Sequence, residues 1–393
     1  MAGGEGARLR PLTINRPKPM VPVVNRVCLE HVLNLLREHG FTDVIITVHY
    51  LASHIFDYFG DGRAFGLRIN YSLEPTPLGT AGSVKLAERD LDGTFLVISG
   101  DALTDVNLTE IIEAHRARQA LVTIALYRVP NPLEYGVVVT DPDGRVRQFQ
   151  EKPDWGQVIS DTVNTGIYVL EPEVLKEVPA DRPYDFSADL FPKLLQRGER
   201  LFGHVVQGYW TDIGSIQEYV RASFDLLNGQ VNLGPLGLDL GSGIWVEAED
   251  VDISPGATII GPVYIGSGCR IQRGASVVGP AVIRRNTIID EGAQVHQSII
   301  WRDCYVAPHA QVRGAVLLSQ VNVRKRARVM EGAVVGDETV IGEDAVIQPD
   351  VKIWPKKEVE SGAIVSESII WAPRVRRVLF GRDRKSTRLN SSH

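Results

Sequence analysis

The chain has 393 residues, of which 44% are hydrophobic and 23% charged, with a formal net charge of −6 at pH 7. That length exceeds one ordinary core and points to two domains of a soluble globular protein. The negative balance excludes a general nucleic-acid binder, which needs a clustered basic face, and no apolar run approaches the roughly 18 residues of a membrane span. Cys28, Cys269 and Cys304 lie far apart, without metal-ligand spacing. An odd count and no signal peptide ahead of the first motif make the cytoplasm the expected location.

The chain opens on its sharpest stretch, residues 3–13, which holds Gly3, Gly4, Gly6, Arg8 and Thr13. Glycines let backbone N–H groups close on phosphate oxygens, and Arg8 adds a planar donor fork. At 17–19, Lys18 sits between two prolines, which stiffen the backbone and fix the reach of its ammonium. Leu29, Val32, Leu33 and Leu36 then recur at helical spacing, with Gly40 as a stop. The spacing predicts buried strands at 44–48, 95–99 and 121–127, with helix-like stretches between them. Buried strands separated by helices imply a mostly parallel sheet covered on both faces, a Rossmann-like α/β domain over 1–228. Residues 135–151 break that rhythm: a turn at 141–144 between two extended runs predicts an inserted β-hairpin.

The texture changes after Gly229. Ile253, Ile259, Ile265, Ile271, Val277, Ile283, Ile289 and Val295 lie six residues apart without interruption. The period slips by one near Ile300, slips again after Val312, and resumes from Val323 to Val365, with alanine often two residues before each position. A hexapeptide period predicts a parallel β-helix, placed at 244–371, whose flat faces and open ends suit assembly into a homo-oligomer. The basic run 324–328 reads as a solvated outer face. Residues 372–393 form a linker and a patternless tail, expected to be foreign to the fold.

The glycine loop with Arg8, followed by the Pro-Lys-Pro at 17–19, resembles the sugar-phosphate nucleotidyltransferases, many of which carry a left-handed β-helix after the catalytic domain. Residues 17–25 and 74–82 are most similar to the mannose-1-phosphate guanylyltransferases among them. The resemblance implies that a nucleoside triphosphate and a sugar 1-phosphate are joined with Mg²⁺ and pyrophosphate is released. Arg8 and Lys18 are then the expected catalytic residues. Gly3, Gly4, Gly6, Glu74, Leu78, Gly79 and Thr80 are expected at the nucleotide. Gly136, Glu151, Lys152, Asn164 and Thr165 are expected at the sugar phosphate. Asp101, at the end of a buried strand where ligands of open α/β sheets bind, and Asp212, in the stretch 208–214, are the expected Mg²⁺ ligands.

Three rival readings accompany this one. The same chemistry with glucose 1-phosphate and UTP, dTTP or ATP rests on pocket contacts that sequence cannot place. An acyltransferase site on the β-helix would use His296 or His309 as its base, but a histidine on a coil edge is more often a solvated residue. A regulatory paralogue that binds without catalysis is disfavoured, since Arg8, Lys18, Asp101, Lys152 and Asp212 are all present. Members of the resembled family carry a short apolar strand ahead of the glycine loop. Here the loop starts at the third residue, so residues 3–8 are expected to be poorly held. The run 379–383 resembles the junction to a further, mutase-like domain.

Overall fold

The computed structural model describes residues 1–151, 154, 156, 159–180, 182–371, 374 and 375. Lys152, the run 379–383 and the tail lie outside the described residues. The chain divides into two units, Met1–Leu238 and Asp239–His393. Among the described residues no helix is long and apolar enough to cross a membrane.

In the first unit, α1 (Cys28–Glu38) buries Leu29, Val32, Leu33 and Leu36 on one face and closes at His39, with Gly40 at φ 82°. β1 (Asp43–Val48) follows, then α2 (Ala52–Phe59) and β2 (Arg68–Leu73), which pairs parallel to β1. α3 (Gly79–Leu86) precedes β3 (Phe95–Ile98) and the short β4 (Ala102–Thr104). α4 (Leu108–Ala117) is capped by Asn107, whose side chain accepts from the Glu110 N–H. The nearby Asp105 is turned elsewhere and accepts from the N–H groups of Tyr209 and Asn232.

β5 (Val122–Arg128) is followed by the hairpin of β6 (Gly136–Thr140) and β7 (Val146–Glu151), closed by Gly144 donating to the Asp141 carbonyl. β8 (Thr162–Leu170) runs antiparallel to β3, β5 and β6, an interruption of the parallel pattern, whereas β9 (Leu201–Val205) is parallel to β5. Between β8 and β9 stands α5 (Phe191–Gln196). β10 (Trp210–Asp212) pairs with β4, and α6 (Ile216–Leu227) is the last helix of this unit among the described residues.

β8 explains why the sheet strands read as continuous apolar runs. Val163, Ile167 and Val169 enter the core beneath α1, and Tyr168 and Leu170 enter the opposite core with Phe186 and Phe191. Side chains alternate across a strand, so burial on both faces demands apolar residues at every position. Each such side chain contributes about 1.5–3 kcal/mol by leaving water.

The second unit is a parallel β-helix of three sheets, with each strand hydrogen-bonded to its counterpart one coil on. Ile265, Ile283, Ile300, Leu317, Val335 and Ile353 occupy successive rungs of one sheet. They lie eighteen residues apart, except that Ile283 to Ile300 and Ile300 to Leu317 are seventeen apart, and these two shorter coils are the slips in the sequence period. Inward aliphatics stack into a core with Ala275, Ala293, Ala310, Ala327, Ala345 and Ala363, where only a small side chain fits behind the corner. His309 stands at such a corner, at φ 59°, with its ring over Gly292; His296 is half-buried on a strand, 3.4 Å from the Ser276 hydroxyl.

Candidate active site

The pairing of β4 with β10 puts Asp212 opposite Ala102, and the Ile213 N–H donates to the Asp101 carbonyl at 3.1 Å. Two carboxylates from distant parts of the chain thereby meet at the carboxyl end of β3. Lys18 closes the group. Its Nζ stands 2.7 Å from Asp101 Oδ2 and 2.9 Å from Asp212 Oδ1, and its side chain is only 11% exposed. The Ser99 hydroxyl also donates to Asp101 Oδ1. Pro17 caps the short helical turn Lys18–Met20 and fixes the lysine's origin.

Burial and charge compete there. Burial works against the Lys18 ammonium, but the charges of Asp101 and then Asp212 outweigh it and hold its pKa above the ordinary value. For Asp101, burial is outweighed by the Lys18 charge and by hydrogen bonds from Lys18 and Ser99, so its pKa falls. For Asp212, burial and the Asp101 charge prevail over Lys18, and its pKa rises. Lys18 bridges the two carboxylates, and the Met1 ammonium also acts on Asp101.

Arg8 belongs to the same place. A Cβ added at Gly214 would meet Asp212 Oδ2 at 2.9 Å, Glu218 Oε2 at 3.1 Å and Arg8 Nη2 at 3.3 Å, so these three groups surround one glycine. Glu218 accepts from the Gly214 N–H at 3.2 Å and from the Tyr135 hydroxyl at 3.3 Å. Burial, then the charges of Glu218 and Asp212, push the Tyr135 phenol up to about 12. Gly214, Glu218 and Tyr135 were not singled out from sequence as site residues. The signal for Glu218 was legible, because Ser215 caps α6 by accepting the Glu218 N–H, a capping-box spacing.

The glycine loop meets the lysine directly. Gly6 takes φ 65°, and a Cβ there would lie 3.0 Å from Lys18 Cβ and 3.1 Å from Thr13 Cγ2, while the Thr13 hydroxyl donates to the Gly6 carbonyl. Gly3 lies against Glu74, whose Oε1 would be 2.9 Å from an added Cβ; Gly4 faces open space. Met1 and Ala2 anchor the loop, with Ala2 donating to the Thr47 carbonyl and Met1 accepting from the Gly100 N–H.

Buried Glu74 links that loop to the next one by accepting from the Leu78 N–H at 3.0 Å, and burial raises its pKa. Leu78 is itself buried. Gly79, at φ 71°, packs against the Tyr184 backbone, and both the N–H and the hydroxyl of Thr80 donate to Asp185. Sequence reading missed Tyr184 and Asp185, which carry no motif of their own.

On the sugar-phosphate side, Gly136 pairs with Glu151 across the hairpin, and Lys152 lies outside the described residues. The Asn164 amide donates to the Tyr168 and Ser187 hydroxyls, and its carbonyl accepts from the Gly166 N–H. Thr165 is buried; its hydroxyl donates to the Ala125 carbonyl and its own carbonyl accepts from Trp210 Nε1. Its hydroxyl also accepts from the Ile167 N–H and so holds the irregular stretch of β8. That stretch abuts the end of β3, since the Ser99 N–H donates to the Gly166 carbonyl.

Known proteins resemble this chain along most of its length. The family model described as "Nucleotidyl transferase" matches residues 1–229, and "EIF2B subunit epsilon LbH domain" matches residues 243–347. A UTP–glucose-1-phosphate uridylyltransferase of Synechocystis is 36% identical over 84% of this chain and 89% of its own. A mannose-1-phosphate guanylyltransferase of Mycobacterium tuberculosis is 36% identical over 69% of this chain and 75% of its own. The crystal structure of HddC from Yersinia pseudotuberculosis superposes with a TM-score of 0.51 at 27% identity, covering 57% of this chain and 96% of that one. The match over residues 1–229 places this chain in the nucleotidyl transferase family, with a β-helix of the left-handed type as its second unit.

Proposed function

We propose that the chain transfers a nucleotidyl group from a nucleoside triphosphate to a sugar 1-phosphate, with GTP and mannose 1-phosphate as its pair and GDP-mannose and pyrophosphate as products. The observation that carries this reading is the convergence of Lys18, Asp101 and Asp212 beneath the glycine loop that bears Arg8. Mannose and guanine are favoured by residues 17–25 and by the mycobacterial guanylyltransferase relative.

The donor set fits Mg²⁺. Both carboxylates already converge on one cation, the Lys18 ammonium, and they are hard oxygen ligands. Among the described residues no group of three or more His, Cys, Asp or Glu gathers to enclose a metal, which suits an ion held by one or two carboxylates and substrate phosphates. When bound by Asp101 and Asp212, Mg²⁺ would supply positive charge to the triphosphate.

An oxygen of the sugar 1-phosphate forms a bond to the α-phosphorus. The bond from that phosphorus to the β-phosphate oxygen breaks, and pyrophosphate departs with the electron pair. The nucleophile is already an anion, so no base has to remove a proton. Two polyanions must approach, at a cost of roughly 4 kcal/mol per unit-charge pair at 4 Å and an effective dielectric of 20. Arg8, Lys18 and Lys152 offset that repulsion and orient the reacting phosphates. The residues 3–6 and 74–80 would cradle the nucleotide, and Gly136, Glu151 and Asn164 the sugar.

A second reading, glucose 1-phosphate with UTP, is favoured by the Synechocystis relative, which matches a larger share of the chain at equal identity. Pyrophosphate release from mannose or glucose 1-phosphate with each of GTP, UTP, dTTP and ATP separates the two. Fastest release with GTP and mannose 1-phosphate is expected. Faster release with glucose 1-phosphate and another triphosphate would move the assignment, and silence with every pair would end it. The same proposal places the protein in the cytoplasm and its β-helix at the contact of a homo-oligomer.

A further inference from the structure

One short segment of the first unit is bonded to both of the stretches expected to hold substrates. Residues 184–187 stand between β8 and α5, where Phe186–Leu190 forms a π-helical turn that runs directly into α5. The Leu190 and Phe191 N–H groups reach back five residues, to the carbonyls of Asp185 and Phe186. The Asp185 N–H donates to Asp189 Oδ2 at 2.8 Å and closes the entry to the turn. Turns of this width are rare and frequently lie at functional sites.

On one side the segment grips the loop that opens α3. The Tyr184 N–H donates to the Leu78 carbonyl at 2.9 Å, and the Tyr184 carbonyl accepts from the N–H groups of Ala81 and Gly82 at 2.9 and 3.0 Å. Asp185 Oδ1 accepts from both the N–H and the hydroxyl of Thr80, at 3.0 and 2.8 Å. The Phe186 N–H donates to the same hydroxyl at 2.9 Å. A hydroxyl that donates to one residue and accepts from the next has little freedom left, so Thr80 is fixed from both sides.

On the other side the segment reaches β8 at its irregular stretch. Ser187 Oγ accepts from the Asn164 amide at 3.0 Å, and the Tyr168 hydroxyl accepts from it at 2.9 Å. The Tyr168 ring is itself held, 5.1 Å from the rings of both Phe186 and Phe191. An amide nitrogen has two hydrogens to donate, and both are used here, so the direction of the Asn164 oxygen is set. That oxygen accepts from the Gly166 N–H at 3.0 Å and keeps a second lone pair. Thr80 and Asn164 thus rest on neighbouring residues of one turn, Phe186 and Ser187.

We propose that Asp185 and Ser187 are positioning residues for nucleotidyl transfer, an inference that rests on the transfer reading given above. Asp185 holds residues 78–82 for the nucleotide through Thr80, and Ser187 aims the Asn164 oxygen at a hydroxyl of the sugar. Each acts through another residue. Because both stand on one π-helical turn, that turn sets the spacing of the two substrates and so the approach of the sugar phosphate to the α-phosphorus.

Steady-state kinetics of the full chain separate the two residues. Pyrophosphate release is followed with whichever sugar 1-phosphate and triphosphate the parent uses fastest. Ser187→Ala is expected to raise KM for the sugar 1-phosphate about ten-fold and to leave KM for the triphosphate within about two-fold, and Asp185→Ala to do the reverse. Ser187→Thr and Asp185→Asn keep the acceptor oxygens and should restore most of each loss. Without substrate, amide exchange at Gly166 should quicken about ten-fold in Ser187→Ala and stay at the parent rate in Ser187→Thr. With an active parent, an unchanged KM for the sugar 1-phosphate in Ser187→Ala, equal rises in both KM values, or unchanged exchange at Gly166 would overturn the proposal alone. A parent silent with mannose and glucose 1-phosphate and each of GTP, UTP, dTTP and ATP would overturn the transfer reading, and this proposal with it.

Discussion

The Lys18 ammonium stands 2.7 Å from Asp101 Oδ2 and 2.9 Å from Asp212 Oδ1, against Gly6 of the glycine loop. In the ligand-free chain the lysine holds the two acids together. Under the proposed function, a metal on the acids would free the same ammonium for a phosphate oxygen. One residue thus links stability of the empty site to charge compensation in the filled one.

Replacing the lysine separates these two roles. Lys18→Met leaves Asp101 and Asp212 without the ammonium that bridges them, and is expected to lower stability by about 3 kcal/mol at neutral pH, read from denaturant midpoints. The pH dependence should also reverse sign locally. A folded-state pKa raised above the ordinary carboxylate value, as at Asp212, means that folding takes up a proton there, so stability increases as pH falls through that raised value. Without Lys18 this rise applies to both acids, and the deficit should shrink as pH falls from neutral toward the ordinary carboxylate range. In the parent chain the depressed pKa of Asp101 acts oppositely, and its contribution is lost as pH falls through that depressed value. A deficit that stays constant with pH would contradict the assignment.

The same variant should bind Mg²⁺ more tightly than the parent in the absence of nucleotide, because the metal no longer competes with a resident ammonium for Asp101 and Asp212. Calorimetric titration measures this. A gain of about ten-fold is expected, and weaker binding by Lys18→Met would mean that the lysine does not stand at the cation position.

Glycines of the site should divide sharply. Gly214→Ala would set a methyl 2.9 Å from Asp212 Oδ2 and 3.3 Å from Arg8 Nη2, and is expected to lower kcat about 100-fold with little change in thermal midpoint. Gly4→Ala meets no protein atom and should leave the thermal midpoint unchanged, with its loss falling on the KM for the triphosphate that the loop would cradle. Steady-state kinetics on the two variants side by side checks the contrast.

Gly79→Ala tests the coupling of the second loop to the segment behind it. The residue has φ 71°, and a Cβ would lie 2.9 Å from the Tyr184 carbonyl oxygen, which is backbone and cannot swing aside. A loss of about 1–3 kcal/mol in stability is expected, accompanied by a raised KM for the triphosphate and a nearly unchanged KM for the sugar phosphate. An equal rise in both KM values would place the loop elsewhere in the reaction.

Much of this was legible in residues 3–19, because glycines, Arg8 and a proline-flanked lysine constrain one another even before their positions in space are known. The β-helix was legible for a different reason: six-residue spacing of inward aliphatics survives two coils shortened by one residue. What sequence could not give was partnership across the chain. Nothing local in Asp185 says that it anchors Thr80, and nothing in Gly214 says that it makes room for Asp212 and Arg8. Thr165 lay in a recognisable stretch, but its bond to the Ala125 carbonyl depends on the irregular course of β8, which no local residue announces. The antiparallel course of β8 was likewise hidden, since a strand buried on both faces reads the same in either direction.

Asp101→Asn keeps the shape of the side chain and removes its charge, so it is the sharpest probe of the site. Mg²⁺-dependent pyrophosphate release should fall by about 1,000-fold in this variant with the fold retained by circular dichroism, as expected when a group that orients the metal and the lysine is lost. Release within a few-fold of the parent, at the same Mg²⁺ requirement, would mean that nucleotidyl transfer does not take place at Lys18, Asp101 and Asp212.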